Sequence, residues 1–124
     1  MAVKVIDASA AVAVVFFETQ FEATTSRLNG HDLAAPNILS FEVTNACLIK
    51  LRRHPDGREL LLRNFERFFD LQIAIVRINE RAVLEIAEQT DLTVYDAGYL
   101  WLARQLDAEL VTLDRKLAAV AARR

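Results

Sequence analysis

The stretch Val3-Lys4-Val5-Ile6-Asp7-Ala8-Ser9 decides how the rest of the chain is read. Val and Ile are stiff at χ1 and suit a buried, pleated strand. The run stops abruptly at a carboxylate. Ala8 to Phe17 is then small and apolar enough to continue as a packed helix. The stretch therefore predicts a strand that ends at Asp7 and turns straight into a helix. In open α/β sheets the ligand crevice lies beyond the carboxyl ends of the strands, and Asp7 stands at that point. Asp is also a favoured N-cap, so this stretch alone is equally compatible with a capping role.

Outward from it, strand and helix patterns alternate. Thr19 is placed to cap a second helix, with Phe21, Thr25 and Leu28 on one face and a stop at Asn29-Gly30. Asp32 to Pro36 reads as a very short strand. Asn37 is expected to cap a long helix from Ile38 to Arg53, with Ile38, Phe41, Leu48 and Leu51 at helical spacing. His54-Pro55-Asp56-Gly57 breaks the chain, and Arg58 to Leu71 reads as the next helix. Gln72 to Ile78 is a second convincing strand, and Asn79 caps a helix facing inward through Val83, Ile86 and Ala87. A helix from Tyr95 to Asp107, a strand from Glu109 to Leu113 and a helix from Arg115 to Ala122 complete the pattern. Such alternation, with long crossovers between strands, predicts an α/β fold: a three-layer α/β/α sandwich around a central parallel sheet.

The 124 residues suit a single domain over 1–124, and 53% hydrophobic content supplies a real core. A formal net charge of −2 leaves nucleic acid to be held by a local patch or through metal ions. The lone Cys47 falls in an apolar helical pattern and reads as a small core residue. No signal-peptide pattern opens the chain, and no apolar run approaches the roughly 18 residues of a membrane span. The expected setting is a reducing cytoplasm, without membrane attachment.

Among the 17 acidic residues, four ask for more than solubility. Asp7 ends the first strand and Asp114 ends the last. Asp96 opens a helix behind Thr93, in a pattern that also resembles a capping box. Glu42 sits one turn into a helix between Phe41 and Val43, where charge is costly without a partner. If the strands are parallel, Asp7 and Asp114 emerge at the same sheet edge. Carboxylates gathered without evident counter-charges repel one another. A divalent cation resolves that conflict, and Mg²⁺ and Mn²⁺ favour oxygen ligands.

Val5-Ile6-Asp7-Ala8-Ser9, the Glu42 helix with Asn45, Tyr95-Asp96-Ala97 with Tyr99-Leu100, and Leu110-Val111-Thr112-Leu113-Asp114 resemble the PIN-domain ribonucleases. Length and order look like the toxin of a VapBC toxin–antitoxin pair, and the likeness covers essentially the whole chain. It matches Asp7, Glu42, Asp96 and Asp114 to the family's acidic quartet, and Thr112 to a hydroxyl often found beside the last acid. It implies an endoribonuclease dependent on Mg²⁺ or Mn²⁺, inhibited by a cognate VapB-type antitoxin and usually a homodimer. In that scheme Asp7 and Asp96 are metal ligands, and Asp114 is a ligand or holds a metal-bound water. Glu42 binds metal or helps position or deprotonate the attacking water. Asn45 and Thr112 hold these carboxylates in place.

Lys50, Arg52, Arg53, Arg58, Arg63 and Arg67 cluster in sequence, as either a phosphate-binding rim or a solvated helix face. The phenylalanines, among them Phe16, Phe17, Phe21, Phe65, Phe68 and Phe69, supply either core or a groove for an amphipathic partner segment. His31 and His54 lie beside loop breakers and read as surface residues. The rival from another class is a phosphoacceptor receiver domain. It would need an Asp at the end of the middle strand, where Arg77-Ile78-Asn79 stands instead. A non-catalytic PIN-like module that binds RNA or protein is a third reading.

Overall fold

The computed structural model describes residues 2–123. Their strands are β1 (Val3–Ile6), β2 (Asp32–Pro36), β3 (Ala74–Val76) and β4 (Glu109–Val111), all parallel in the order β3-β2-β1-β4. The helices are α1 (Ala8–Val15), α2 (Phe21–Leu28), α3 (Leu39–Arg53), α4 (Arg58–Glu66), α5 (Glu80–Thr90), α6 (Val94–Leu106) and α7 (Arg115–Ala121). Helix α6 lies across β1, β2 and β4 and packs on α5 and α7, while α1 packs on α2 and α3. The three-layer α/β/α expectation is met.

Strand β1 is central because it is apolar on both faces. Val5 and Ile6 are fully buried, paired through Val5 with Ala34 on one side and Leu110 on the other. The register then positions chemistry. Ile6 stands opposite Val111, so one step further brings Asp7 beside Thr112. Helix α1 packs closely because Ala10, Ala11 and Ala13 carry almost no side chain and are fully buried. Its C-terminal carbonyls are covered from outside: the Arg67 guanidinium donates to the oxygens of Val14 and Val15 at 3.2 and 2.6 Å. The same group stacks over the Phe17 ring at 3.9 Å.

Several local expectations are corrected. The buried face of α3 is Leu39, Val43 and Cys47, whereas Phe41 is 80% exposed. The expected stripe through Phe41 and Leu48 followed helical spacing but lay on the wrong side of the helix. Asn37 does not cap α3; Ile38 holds that position, and Asn37 Oδ1 instead accepts the Ile78 N–H at 3.4 Å. Thr19 does not cap α2, which starts behind Gln20 without a side-chain cap. Helix α4 ends at Glu66 and tightens into a 3₁₀ turn over Arg67–Leu71. Strand β4 ends at Val111, so Asp114 lies past the strand, at the start of α7. Cys47 is buried, as expected of a core thiol.

Candidate active site

The four acids come from separate elements, and a different local device holds each one. Asp7 caps α1: its Oδ1 accepts the Ala10 N–H at 3.0 Å and the Ser9 hydroxyl at 2.7 Å. Its Oδ2 accepts the Thr112 hydroxyl. The side chain is therefore tied down although the residue is only 4% exposed. Asp114 caps α7 through the Leu117 N–H at 2.9 Å, and its own N–H donates to Thr112 Oγ1 at 3.0 Å. Asp96 sits in the first turn of α6, its N–H held by Thr93 Oγ1 at 3.1 Å. Glu42, in the first turn of α3, accepts the Tyr99 phenol proton on Oε1 at 2.6 Å.

These devices show that the capping role of Asp7 and its place among the acids are compatible. A cap needs one carboxylate oxygen directed at the helix N-terminus. That requirement also fixes the group at the sheet edge.

The electrostatics show that the acids share one environment. Burial raises the Asp7 carboxyl above its usual value, hydrogen bonds from Thr112, Ala10 and Ser9 oppose this, and the Asp114 charge adds to the rise. Burial raises Glu42 as well, against the Tyr99 hydrogen bond and with the charges of Asp96 and Asp7. Asp96 is raised by burial and then by Asp114 and Asp7, with relief from Thr93 and Lys116. Among the described residues none of the four forms an ion pair. The ammonium of Lys116 is directed instead to Asp91, at 3.4 Å.

The PIN domain pattern matches residues 4–123. The chain belongs to the PIN-domain family. A further likeness is to the protein named Ribonuclease VapC3 of Pyrobaculum aerophilum, 29% identical over 119 residues, spanning 92% of this chain and 91% of that one. Among solved structures, the crystal structure of PAE2754 from Pyrobaculum aerophilum superposes with a TM-score of 0.77 at 25% identity. That match covers 95% of this chain and 84% of the other.

This PIN domain separates the residues named from sequence into two groups. Asp7, Glu42, Asp96, Asp114 and Thr112 are linked by charge or hydrogen bonds. Asn45 is exposed on α3, and among the described residues no hydrogen bond joins it to a carboxylate. Two residues were missed. Ser9 donates to Asp7 and accepts the Leu113 N–H at 2.9 Å, so it ties α1 to the segment after β4. Tyr99 carries part of the family resemblance above, but without a role of its own. Its spacing three residues after Asp96, on the same helix face, was the available signal.

Hard carboxylate oxygens are the donors that a divalent cation such as Mg²⁺ takes. Among the described residues no three His, Cys, Asp or Glu side chains stand close enough together to hold one ion directly. The available ligands are hard carboxylate oxygens that repel one another. Mg²⁺ retains several of its waters and is bound through one or two carboxylates plus substrate phosphate. The arrangement suits such a hydrated ion.

The receiver-domain alternative does not survive the topology. A receiver has strand order 2-1-3-4-5, whereas here β3 lies outside β2. Of the basic cluster, Lys50 pairs with Glu18 at 2.6 Å and Arg67 covers α1. Arg52, Arg53, Arg58 and Arg63 are exposed. Among the described residues no helix is long and apolar enough to cross a membrane.

Proposed function

We propose that this PIN domain is an endoribonuclease dependent on Mg²⁺ or Mn²⁺, the toxin of a type II toxin–antitoxin pair restrained by a VapB-type antitoxin. The observation that carries it is a set of acids without counter-charges: Thr112 Oγ1 joins Asp7 to Asp114, Tyr99 holds Glu42 from the helix that carries Asp96, and among the described residues none of the four forms an ion pair. Groups so placed lower their energy by sharing a cation. The likeness to a protein named as a ribonuclease directs the choice of substrate to RNA.

Asp7 and Asp96 are the ligands in this reading, with Asp114 a further ligand or a holder of an ion's water. Glu42 takes part in ligation or positions the attacking water. Thr112 and Ser9 keep Asp7 oriented, and Asn45 lies one turn beyond Glu42, at the rim. Bound Mg²⁺ supplies charge for the phosphate oxygens and a water of lowered pKa. The chain's own residues then need no histidine base and no nucleophilic side chain. A homodimer is the expected assembly.

Purified protein, free of antitoxin, should cut RNA in Mg²⁺ or Mn²⁺ and stop in EDTA. Asp96→Asn should cut far more slowly under the same conditions. Cleavage that persists after exhaustive chelation, or full activity in Asp96→Asn, overturns the mechanism. Induction without a partner should arrest growth, and coexpression of the cognate antitoxin should restore it. Normal growth on strong induction of the folded protein overturns the toxin role.

A further inference from the structure

Glu42 holds its carboxylate through one side-chain hydrogen bond that comes from a different helix. Asp7 receives donors from Ala10, Ser9 and Thr112. Asp114 is fixed by its capping bond to Leu117. Glu42 projects from α3, and among the described residues its single hydrogen-bond donor is Tyr99. A glutamate has three rotatable side-chain bonds, so a half-buried carboxylate without that donor would sample several rotamers.

Tyr99 is built to supply this one bond. It is 1% exposed, among the largest fully buried side chains of the core. Its ring is fixed by packing in the middle of α6, a helix that spans three strands. A buried tyrosine O–H must find a partner, and this one is given to a carboxylate at 2.6 Å. Charge-assisted bonds of this length are the strong ones. Tyr99 also lies three residues after Asp96, so one face of α6 carries both an acid and the group that orients another.

We propose that Tyr99 is a positioning residue of the acidic site: its phenol O–H pins Glu42 Oε1, leaves Oε2 as the free oxygen, and thereby sets how tightly the site binds a divalent cation. The inference rests on the cation-dependent reading above, and its tests include readouts that need no RNA. Partners of this kind, acting through a ligand, change metal affinity or activity by about 10–100-fold when removed.

The test uses Tyr99→Phe, which keeps the ring and removes only the hydroxyl, with Glu42→Gln and the double variant. Mn²⁺ binding is measured on each protein without RNA, and RNA cleavage separately. Tyr99→Phe should weaken Mn²⁺ binding by about 10-fold or more and lower kcat with the KM for RNA unchanged. On the Glu42→Gln background the same change should add nothing further, because its route runs through the Glu42 charge. A merely structural tyrosine would give the same loss on both backgrounds, which overturns the proposal, as does unchanged Mn²⁺ binding.

A second measurement keeps the wild-type protein and so does not depend on any variant folding. The Tyr99 ¹³Cζ resonance should shift when Mg²⁺ is added, since the phenol's acceptor then shares its charge with the ion. A resonance indifferent to saturating Mg²⁺ overturns the proposal. Coupled Mn²⁺ effects in a protein that cuts no RNA would sink the ribonuclease reading and leave the role of Tyr99 standing. Rapid RNA cleavage that is indifferent to Tyr99→Phe would do the reverse.

Discussion

The Thr112 hydroxyl joins two acids that are far apart in the chain: it donates to Asp7 Oδ2 and accepts the Asp114 N–H at 3.0 Å. One oxygen therefore connects the end of β1 to the start of α7. The register makes this possible, because Ile6 faces Val111 and the next residues on the two strands emerge side by side. The side chain of a buried threonine at this point serves as a bridge between the elements that carry the site.

Removing that bridge should cost stability as well as activity. Thr112→Val keeps the shape and strips Asp7, a buried residue, of one donor. Loss of a buried hydrogen bond to a charged group costs about 1–3 kcal/mol. Urea denaturation should show a lower midpoint with an unchanged slope. Thr112→Ser should retain most of the wild-type midpoint. A Thr112→Val midpoint equal to wild type would mean that the bond contributes nothing.

Asp7→Asn separates the capping role from the charge. Asn caps about as well as Asp, and its amide oxygen can still accept from Ala10 and Ser9. The metal-free variant should melt close to the wild-type temperature, since the loss of the Thr112 bond to Oδ2 is set against the removal of one source of carboxylate repulsion. RNA cleavage should fall by orders of magnitude, because misplaced reacting groups cost rate steeply. Full activity with an unchanged Mg²⁺-induced melting shift would confine Asp7 to capping.

The pH dependence of stability should run against the usual acidic-side loss. Asp7, Glu42 and Asp96 all have folded carboxyl values raised above their ordinary ones. Between the unfolded and the folded values the native state holds more protons, so metal-free stability falls as pH rises through that window. The window opens near the ordinary carboxylate range of about 4 and extends upward. Glu109 works in the other sense: Arg27 and Lys4 lower it, so its contribution is present above its unfolded value and lost as pH falls. Thermal melts in EDTA across pH 4 to 8 should show the decline. Mg²⁺ at about 100 times its Kd should return about 2.7 kcal/mol at the upper end. Rising metal-free stability across this range would contradict the shared acidic environment.

Arg67 supplies a control away from the acids. Its guanidinium caps the carbonyl end of α1 and stacks on Phe17. Arg67→Met should cost about 1–3 kcal/mol through hydrogen bonds to a charged donor. The Mg²⁺-induced melting shift should stay as in wild type. A lost shift would show that the C-terminal end of α1 communicates with its capped N-terminus.

Local chemistry in the chain determined much of this protein. β-branched runs ending in carboxylates marked β1 and the approach to Asp114, and the alternation of strand and helix patterns determined the parallel layered class. These features are periodic or short-range, so a linear reading captures them. Strand order, the face of α3 that is buried and the partners of each acid were decided by tertiary structure. Phe41 and Leu39 are both apolar, and only packing into the core selects Leu39 for burial. Tyr99 and Glu42 are 57 positions apart, and no local rule pairs a phenol with a carboxylate across two helices. Their bond exists because the fold brings α3 and α6 close enough for the Tyr99 phenol to reach Glu42, and burial leaves each polar atom few partners to choose from.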